Sequence, residues 1–503
     1  MLADLPSCGT PLSAVAARAG CAAPVAGPAV VDLVMDSRRA GPGSLFACVR
    51  GARADGHRHA AAAVAAGAVA VLADRPGRLP VDLGVPVLVV PSVRAVLGPV
   101  GALVAGDPAD RLQVVAVTGS NGKTTTSTLL AGVLDTPGRR CGLLTTVGAT
   151  VGRHTRTTAL TTPEAPDLHR LLRWMVQRDA AAAVVEASSI ALDVGRVDGL
   201  CAEVAVFTGF EPDHLDHHGT VEQYWASKAR LFEPDRARVG VVVTDDPWGR
   251  RLADQARIPV VRVGTAADCD VRVVHGTSSA GGTEVLVERA GRRHALRSPV
   301  VGGVHVTNVA AAWTAAVVLG ADPDDVADRL THVDPPPGRG TLLTAPGAPL
   351  VVVDYAHTPG ALADAVATAG RLRPAGEVHL VLGARGARDR WKRQGLGTAA
   401  RAADHVWLTN EGSHGEDPAA IVAELAVGLL GSDARVRTVL DRRAAITAAV
   451  DAAGPQDVVL VVGRGHETLQ DAPGALDPAT TQRFSDADVA RAALGEGRRR
   501  LAG

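Results

Sequence analysis

The apolar run Val114–Val117 leads straight into Thr118-Gly119-Ser120-Asn121-Gly122-Lys123-Thr124-Thr125-Thr126, and helix-forming residues continue to Leu134. A strand, a glycine-rich turn and a helix in that order aim the turn's amides and the positive end of the helix dipole at an incoming phosphate, with the Thr124 hydroxyl available to magnesium. This unit commits the chain around it to an α/β fold. A full Walker spacing needs glycine at 117, where Val117 stands, so the match to that pattern is incomplete. Lysine is rare elsewhere. Of 52 basic residues only Lys123, Lys228 and Lys392 are lysine, and a compact ammonium reaches phosphates where a guanidinium fork does not fit. Lys228 closes DHLDHHGTVEQYWASK, which begins beside His214. Its amine, once neutral, can take up carbon dioxide to give a metal-ligating carbamate, which an always-charged arginine cannot do. Lys392 lies in RDRWKR, an arginine cluster suited to an anion.

At 503 residues and 47% hydrophobic content the chain has material for about three domains. A net charge of -1 without a long basic run argues against general nucleic-acid binding, and the Arg498–Arg500 tail reads as solvated surface. Cys8, Cys21, Cys48, Cys141, Cys201 and Cys269 lack C-x-x-C spacing, so a zinc site or a disulfide scaffold is not expected and most should be buried small residues. With neither a secretory signal nor an apolar stretch of membrane-spanning length, the expectation is a cytoplasmic enzyme of small-molecule substrates, without membrane or nucleic-acid partners, and a monomer.

Short valine-rich strands (Val30–Val34, Val69–Leu72, Val87–Val90) and a helical stretch from His59 to Ala66 precede Gly106-Asp107-Pro108-Ala109, which sets a first domain at 1–108. The second, 109–337, holds the phosphate turn and buried-type strands at Ala182–Glu186, Val204–Thr208 and Val239–Thr244, and ends in Asp334-Pro335-Pro336-Pro337-Gly338. The third, 338–503, has strands at Leu350–Val353, Val378–Leu382, His405–Leu408 and Val458–Val462 between helical stretches, the pattern of a parallel sheet.

Glu186 ends one strand and His214 follows another by a short loop, so a parallel sheet brings both to the edge that carries the phosphate turn. With Thr124 and a carbamylated Lys228 they compose a hard, mostly oxygen site for Mg2+. Asp213, Asp216, His217 and His218 leave zinc open, with a helix cap by Asp213 or Asp216 as the plainer role. Asp354-Tyr355-Ala356-His357-Thr358-Pro359 ends a strand; with Asn308 and Arg339, Asp354 and His357 could hold a nucleotide from across an interdomain cleft, although a strand-end aspartate is as often a cap.

These segments, together with MDSRRAGPGSLFACVRGARADGH (35–57), TTPEAPDLHRLL (161–172), EASSIALDVGRVDG (186–199), PPGR (336–339), GEDP (415–418) and GRGHE (463–467), resemble the Mur ligase family, and within it the MurE branch, over nearly the whole chain. The resemblance implies a three-domain α/β architecture with an N-terminal acceptor domain for a UDP-sugar, a central P-loop ATPase domain and a C-terminal Rossmann-like domain that brings an amino acid. It implies an ATP-dependent, ADP-releasing amide ligase working through an acyl phosphate. Carried over residue by residue, ATP falls to Gly119, Ser120, Asn121, Gly122, Lys123, Thr124, Thr125, Asn308, Arg339, Asp354 and His357. Catalysis falls to Lys123, Glu186, His214 and Lys228, the acceptor to Ser37, Thr161, Thr162, Ser188 and Arg196, and the amino acid to Arg393, Glu411, His414, Gly463 and Glu467.

Departures from the family pattern are specific. Ile190 and Val194 stand where histidine and glutamine would contact the acceptor, His305 replaces an asparagine before Thr307-Asn308, a GCGGDRD-like loop reads GARGARD (383–389), and DNPR is Glu411-Gly412-Ser413-His414. Without the arginine of DNPR a neutral or cationic amino acid is expected in preference to meso-diaminopimelate. Two alternatives accompany the main reading: a MurE-like ligase recruited to natural-product peptide assembly with another acceptor, and a non-catalytic nucleotide-binding paralogue.

Overall fold

Runs of valine and alanine with apolar residues on both faces become the inner strands of layered sheets in the computed structural model, which describes residues 9–22, 27–51, 54–471 and 481–501, the last six of these without side chains. Cys8 and the Arg498–Arg500 side chains lie outside the described set.

The first sheet is parallel, in the order β1 (Asp32–Val34), β2 (Ser44–Ala47), β3 (Ala68–Ala73), β4 (Val87–Val89). Strand β2, wholly buried, was not expected, because Gly41-Pro42-Gly43 before it reads as loop. Helix α1 (Val93–Val104) follows. Ion pairs join this unit to the next: Arg39 donates to both oxygens of Asp167 at 2.9 and 2.7 Å, and Arg170 reaches Asp32 at 2.6 Å.

The central sheet has eleven strands. Its parallel heart is β5 (Gln113–Thr118), β6 (Arg140–Thr145), β9 (Ala180–Glu186), β10 (Ala202–Phe207), β11 (Ala237–Val243) and β12 (Val260–Gly264), extended at one edge by β7 (Gly148–Val151) and β8 (His154–Arg156) and at the other by β13 (Val271–Ser279), β14 (Gly282–Arg289) and β15 (Arg292–Ser298). The spatial order is β8-β7-β6-β9-β5-β10-β11-β12-β13-β14-β15. Alternate residues serve opposite cores: Val115, Val117 and Val184 pack with Leu129, Leu130 and Trp313, whereas Val114, Ala116 and Val185 pack with Leu168 and Trp174. After β5 the chain fills positions on one side through β9 and then crosses to β10. The carboxyl ends of these three strands therefore frame the crevice where such sheets bind ligands.

The third sheet, β16 (Thr341–Leu343), β17 (Leu350–Val353), β18 (Val378–Leu382), β19 (His405–Leu408), β20 (Arg435–Thr438) and β21 (Val458–Val461), runs β16-β17-β21-β18-β19-β20, parallel except for β16. Val30–Val34 is broken at Val31, and Val458–Val462 stops at Val461. Of the described cysteines only Cys48 and Cys141 are buried; Cys21 and Cys269 are half-buried and Cys201 is exposed, so the expectation that most are buried is corrected.

Arg442, on α8 (Arg442–Ala452), and Asp486, which opens α9 (Asp486–Leu501), form a fully buried fork at 2.8 and 2.7 Å, with the guanidinium also donating to the Val462 carbonyl at 2.7 Å. Removing one member strands the other charge in an apolar layer. Asp486→Ala should cost about 3–5 kcal/mol, read as a lower unfolding midpoint in urea. An unchanged midpoint would show that water reaches the guanidinium.

Candidate active site

The phosphate turn owes its shape to two glycines. Gly119 (φ +145°) and Gly122 (φ +85°) adopt backbone that a side chain opposes, and a Cβ there would lie 2.0 Å from Thr208 Oγ1 and 2.3 Å from Asn308 Oδ1. The turn opens helix α2 (Lys123–Leu134), so its amides face the cavity ahead of the helix. Lys123 Nζ donates to the carbonyls of Gly119 (3.0 Å) and Ser120 (2.8 Å). Lys228 Nζ, from helix α5 (Val221–Ala229), donates to the same Gly119 carbonyl at 2.7 Å. Burial and the neighbouring Lys123 charge together hold the Lys228 amine well below an ordinary lysine, and its nitrogen lies 4.4 Å from the centroid of the Tyr224 ring.

A cavity of about 220 Å³ brings the turn together with Glu186, His214 and Lys228, and the third domain closes it with Arg339, Asp354 and His357. The Glu186 carboxyl is buried, which raises its pKa against the lowering influence of Lys123 and Thr124; it accepts from the Thr146 amide at 3.3 Å. Burial pushes the His214 ring down to about 3, so it is neutral, and its Nδ1 has no hydrogen-bond partner. A buried carboxylate, a threonine hydroxyl and an uncommitted imidazole nitrogen suit a hard divalent cation. Arg339 donates to Thr124 Oγ1 at 3.2 Å and stacks 4.0 Å from the Tyr355 centroid. Asp354 is also a cap, accepting from the Gly340 and Ala356 amides at 2.7 Å each. His305 pairs with Asn308 at 3.0 Å, and burial takes it to about 4.

Several groups not expected from the sequence join the two domains here. Asp389 accepts from the amides of His214 (3.2 Å), Leu215 (3.0 Å) and Asp216 (3.4 Å). It therefore caps the short helix Leu215–His218, a role expected of Asp213 or Asp216. His214 and Asp389 both sit in left-handed backbone, at φ +53° and +32°, a strain that their mutual contact maintains. Asp213 instead accepts from Lys392 at 2.7 Å and lies 3.4 Å from His357. Glu211 accepts from Asn121, Thr358 and the Gly360 amide at 2.9, 2.6 and 2.6 Å. No sequence spacing links these partners, which are far apart in the chain. His217 and His218 turn away, to Asp193 and to Ser189 with Ser227, which leaves His214 as the histidine of this stretch that faces the cavity.

Among the acceptor candidates, Thr161 and Ser188 line the cavity. Thr162 donates to the Glu186 carbonyl at 2.7 Å and braces Ser188. Arg196 donates to Glu164 at 2.9 Å, which also accepts from Arg94, and neither Arg196 nor Ser37 lines this cavity or the smaller one beside it.

A second cavity of about 110 Å³ adjoins the first through His214, Tyr355 and His357, and contains Arg385, Arg388, Lys392, Arg393, Glu411 and Gly463. Two arginines of the RDRWKR cluster are already paired, while Arg388 lines the cavity with Asp216 nearby, at 3.9 Å. Arg393 is buried between Glu416 (2.7 Å) and Glu424 (3.0 Å), and Arg390 also takes Glu424. Arg385 donates to both oxygens of Glu467 at 2.6 Å and lies 4.0 Å from Glu411. His414 lines neither cavity: its amide bonds Asp471 at 2.7 Å and its ring lies beside that carboxylate.

Family models match in sequence along the chain: "Mur ligase family, catalytic domain" over 31–102, "Mur ligase middle domain" over 117–316 and "Mur ligase, glutamate ligase domain" over 338–465. A UDP-N-acetylmuramoyl-L-alanyl-D-glutamate–2,6-diaminopimelate ligase of Streptomyces coelicolor is 39% identical, with 96% of each chain covered. The chain belongs to the Mur ligase family. Within it the likeness is to the MurE branch. A UDP-N-acetylmuramyl-tripeptide synthetase of Leifsonia xyli is 38% identical over 93% of this chain and 92% of its own. A solved diaminopimelate-adding ligase superposes with TM-score 0.68 at 29% identity, covering 97% and 99%. MurF of Thermotoga maritima with ADP, 20% identical, shares the fold with TM-score 0.67 over 92% and 98%. This Mur ligase is thus an ATP-dependent, MurE-like amide ligase with small-molecule substrates; neither the natural-product nor the non-catalytic alternative gains support. No helix among the described residues is long and apolar enough to cross a membrane.

Lys123→Ala should lower the rate of phosphate release by on the order of a hundredfold or more while leaving the fold intact by circular dichroism. Turnover like the parent's would remove Lys123 from the phosphate site.

Proposed function

We propose that this Mur ligase works in the cytoplasm as the tripeptide synthetase of its branch, extending UDP-N-acetylmuramoyl-L-alanyl-D-glutamate by one amino acid. The observation that carries the reading is the convergence of Lys123, Glu186, His214 and Lys228 on one cavity that continues, past His214 and His357, into a second cavity of acid–base pairs. On this reading residues 1–108 hold the acceptor, 109–337 ATP, and 338–503 the amino acid.

An acceptor carboxylate oxygen attacks the γ-phosphorus of ATP and ADP leaves; the amine nitrogen then attacks the acyl phosphate carbon, loses a proton and expels phosphate. Lys123 exchanges its loop carbonyls for phosphate oxygens, and Arg339 adds a second positive group from across the cleft. Thr124 and Glu186 would hold one Mg2+, and His214 with a carbamylated Lys228 a second, and these would supply charge neutralisation on the phosphates. The Asp389 cap and the Glu211 clasp keep the domains closed against water.

Two amines on one carbonyl support a Lys228 carbamate: the neutral amine would add to carbon dioxide, a proton would leave, and the carbamate would face Lys123 as an attractive partner. Labelled bicarbonate should give a carbamate carbon-13 resonance that disappears in Lys228→Ala, together with activity. A bare amine in the magnesium-ATP state with full activity in the variant would refute it.

The relatives named above include 2,6-diaminopimelate ligases. Here His414 faces Asp471 and the Arg385 guanidinium is taken by Glu467, which leaves Arg388 as the arginine of the second cavity that a second carboxylate would need in place of the family's two-pronged partner. That loss weakens an anionic side chain by roughly tens- to hundredfold. An ADP-release assay with the UDP-muramoyl dipeptide and a panel of amino acids should give the highest specificity constant for a neutral or cationic one. The highest value for meso-diaminopimelate would reject this preference, and no release with any amino acid would reject the acceptor.

A further inference from the structure

The third sheet has a second polar cluster at the end opposite the active site. His379 and His405 are register partners on the adjacent parallel strands β18 and β19. Side chains two residues apart share a face, so Glu377, His379 and Val381 point the same way, as do His405 and Trp407, and Asp457 and Val459. Val381, Trp407 and Val459 belong to the apolar core beneath α8 and α9. Glu377, His379, His405 and Asp457 are therefore the polar rim of that core, at the amino ends of the strands.

The rings of His379 and His405 stack with centroids 4.1 Å apart and planes 9° apart. The His405 Nε2 meets Glu377 at 2.9 Å, and the His379 Nε2 lies 3.7 Å from Asp457 Oδ2. The ligand atoms of Glu377, His379 and His405 all fall within 4.8 Å of one another. His379, whose side chain is 2% exposed, has both ring nitrogens without a hydrogen-bond partner, and the His405 Nδ1 is likewise unpartnered. A buried imidazole with neither nitrogen satisfied is costly in an apolar layer. Burial and the neighbouring His405 favour its neutral form, the form that ligates a metal. Glu377 is half exposed and opens the cluster to solvent. Arg435, the register partner of His405 on β20, is the nearby positive group that works against a cation.

We infer that Glu377, His379 and His405 form a binding site for a borderline divalent transition cation of the zinc type, with Asp457 or water completing four ligands, which ties β18 to β19 at the rim away from catalysis. Two imidazoles and a carboxylate are a zinc-type donor set, harder to reconcile with magnesium. The rings stack face to face here, so ligation requires one of them to turn out of the stack toward the point beside Glu377.

The test is titration of the chelator-treated full-length protein with Co2+ as an optical probe and Zn2+ as competitor, with magnesium present in excess. The parent should bind one equivalent of Co2+ with tetrahedral visible bands that Zn2+ displaces, and that equivalent should vanish in His405→Gln and weaken by about tenfold or more in Glu377→Gln. His217→Ala, which removes a histidine from the separate Asp193 cluster, should retain it. Glu377 lies at the rim, so its variant keeps the test valid if His405→Gln fails to fold. No cobalt uptake by the parent, an unchanged cobalt affinity in Glu377→Gln, or loss of the bands in His217→Ala, would overturn the site.

Discussion

Carboxylates on each side of the cleft between the central and third sheets find their donors on the other side, and the catalytic geometry depends on that exchange. Glu211 reaches the start of the helix Pro359–Leu372, Asp389 caps the helix after His214, and Asp213 takes Lys392. Each is a charge-assisted bond, and the Asp213–Lys392 pair is largely shielded from solvent, which makes it stronger than a surface ion pair. The same contacts set the positions of His214 and Asn121, both of which line the cavity.

Within that closed cleft the two lysines are the pivotal groups. Two buried ammonium ions cannot comfortably share the Gly119 carbonyl, and burial acts against both. On the proposed reaction one resolution would be nucleotide, whose phosphates would draw Lys123 away from the loop; the other would be carbamylation, which would reverse the sign at Lys228. Both tend toward the state that the reaction needs.

The phosphate turn, the strands beside it and the placement of Glu186, His214 and Lys228 were legible because a buried parallel sheet writes itself as short apolar runs whose ends face one edge. Strand β2 was not, since its preceding turn residues mask it. Arginine partners were the least legible: Arg196, Arg390 and Arg393 stand in motifs that suggest ligand contact, and the glutamates they pair with are distant in sequence. Asp389 and Glu211 escaped for the related reason that a cap supplied by another domain has no local spacing. The ring of His414, which stands where the family motif has arginine, faces Asp471, a partner far along the chain.

The chemistry is tested most directly by oxygen tracing. With the reacting carboxylate of the UDP-muramoyl dipeptide labelled with oxygen-18, a single turnover with ATP and an accepted amino acid should release inorganic phosphate carrying one labelled oxygen, seen as an isotope shift in phosphorus-31 NMR. Unlabelled phosphate alongside amide product would contradict an acyl phosphate at this cleft.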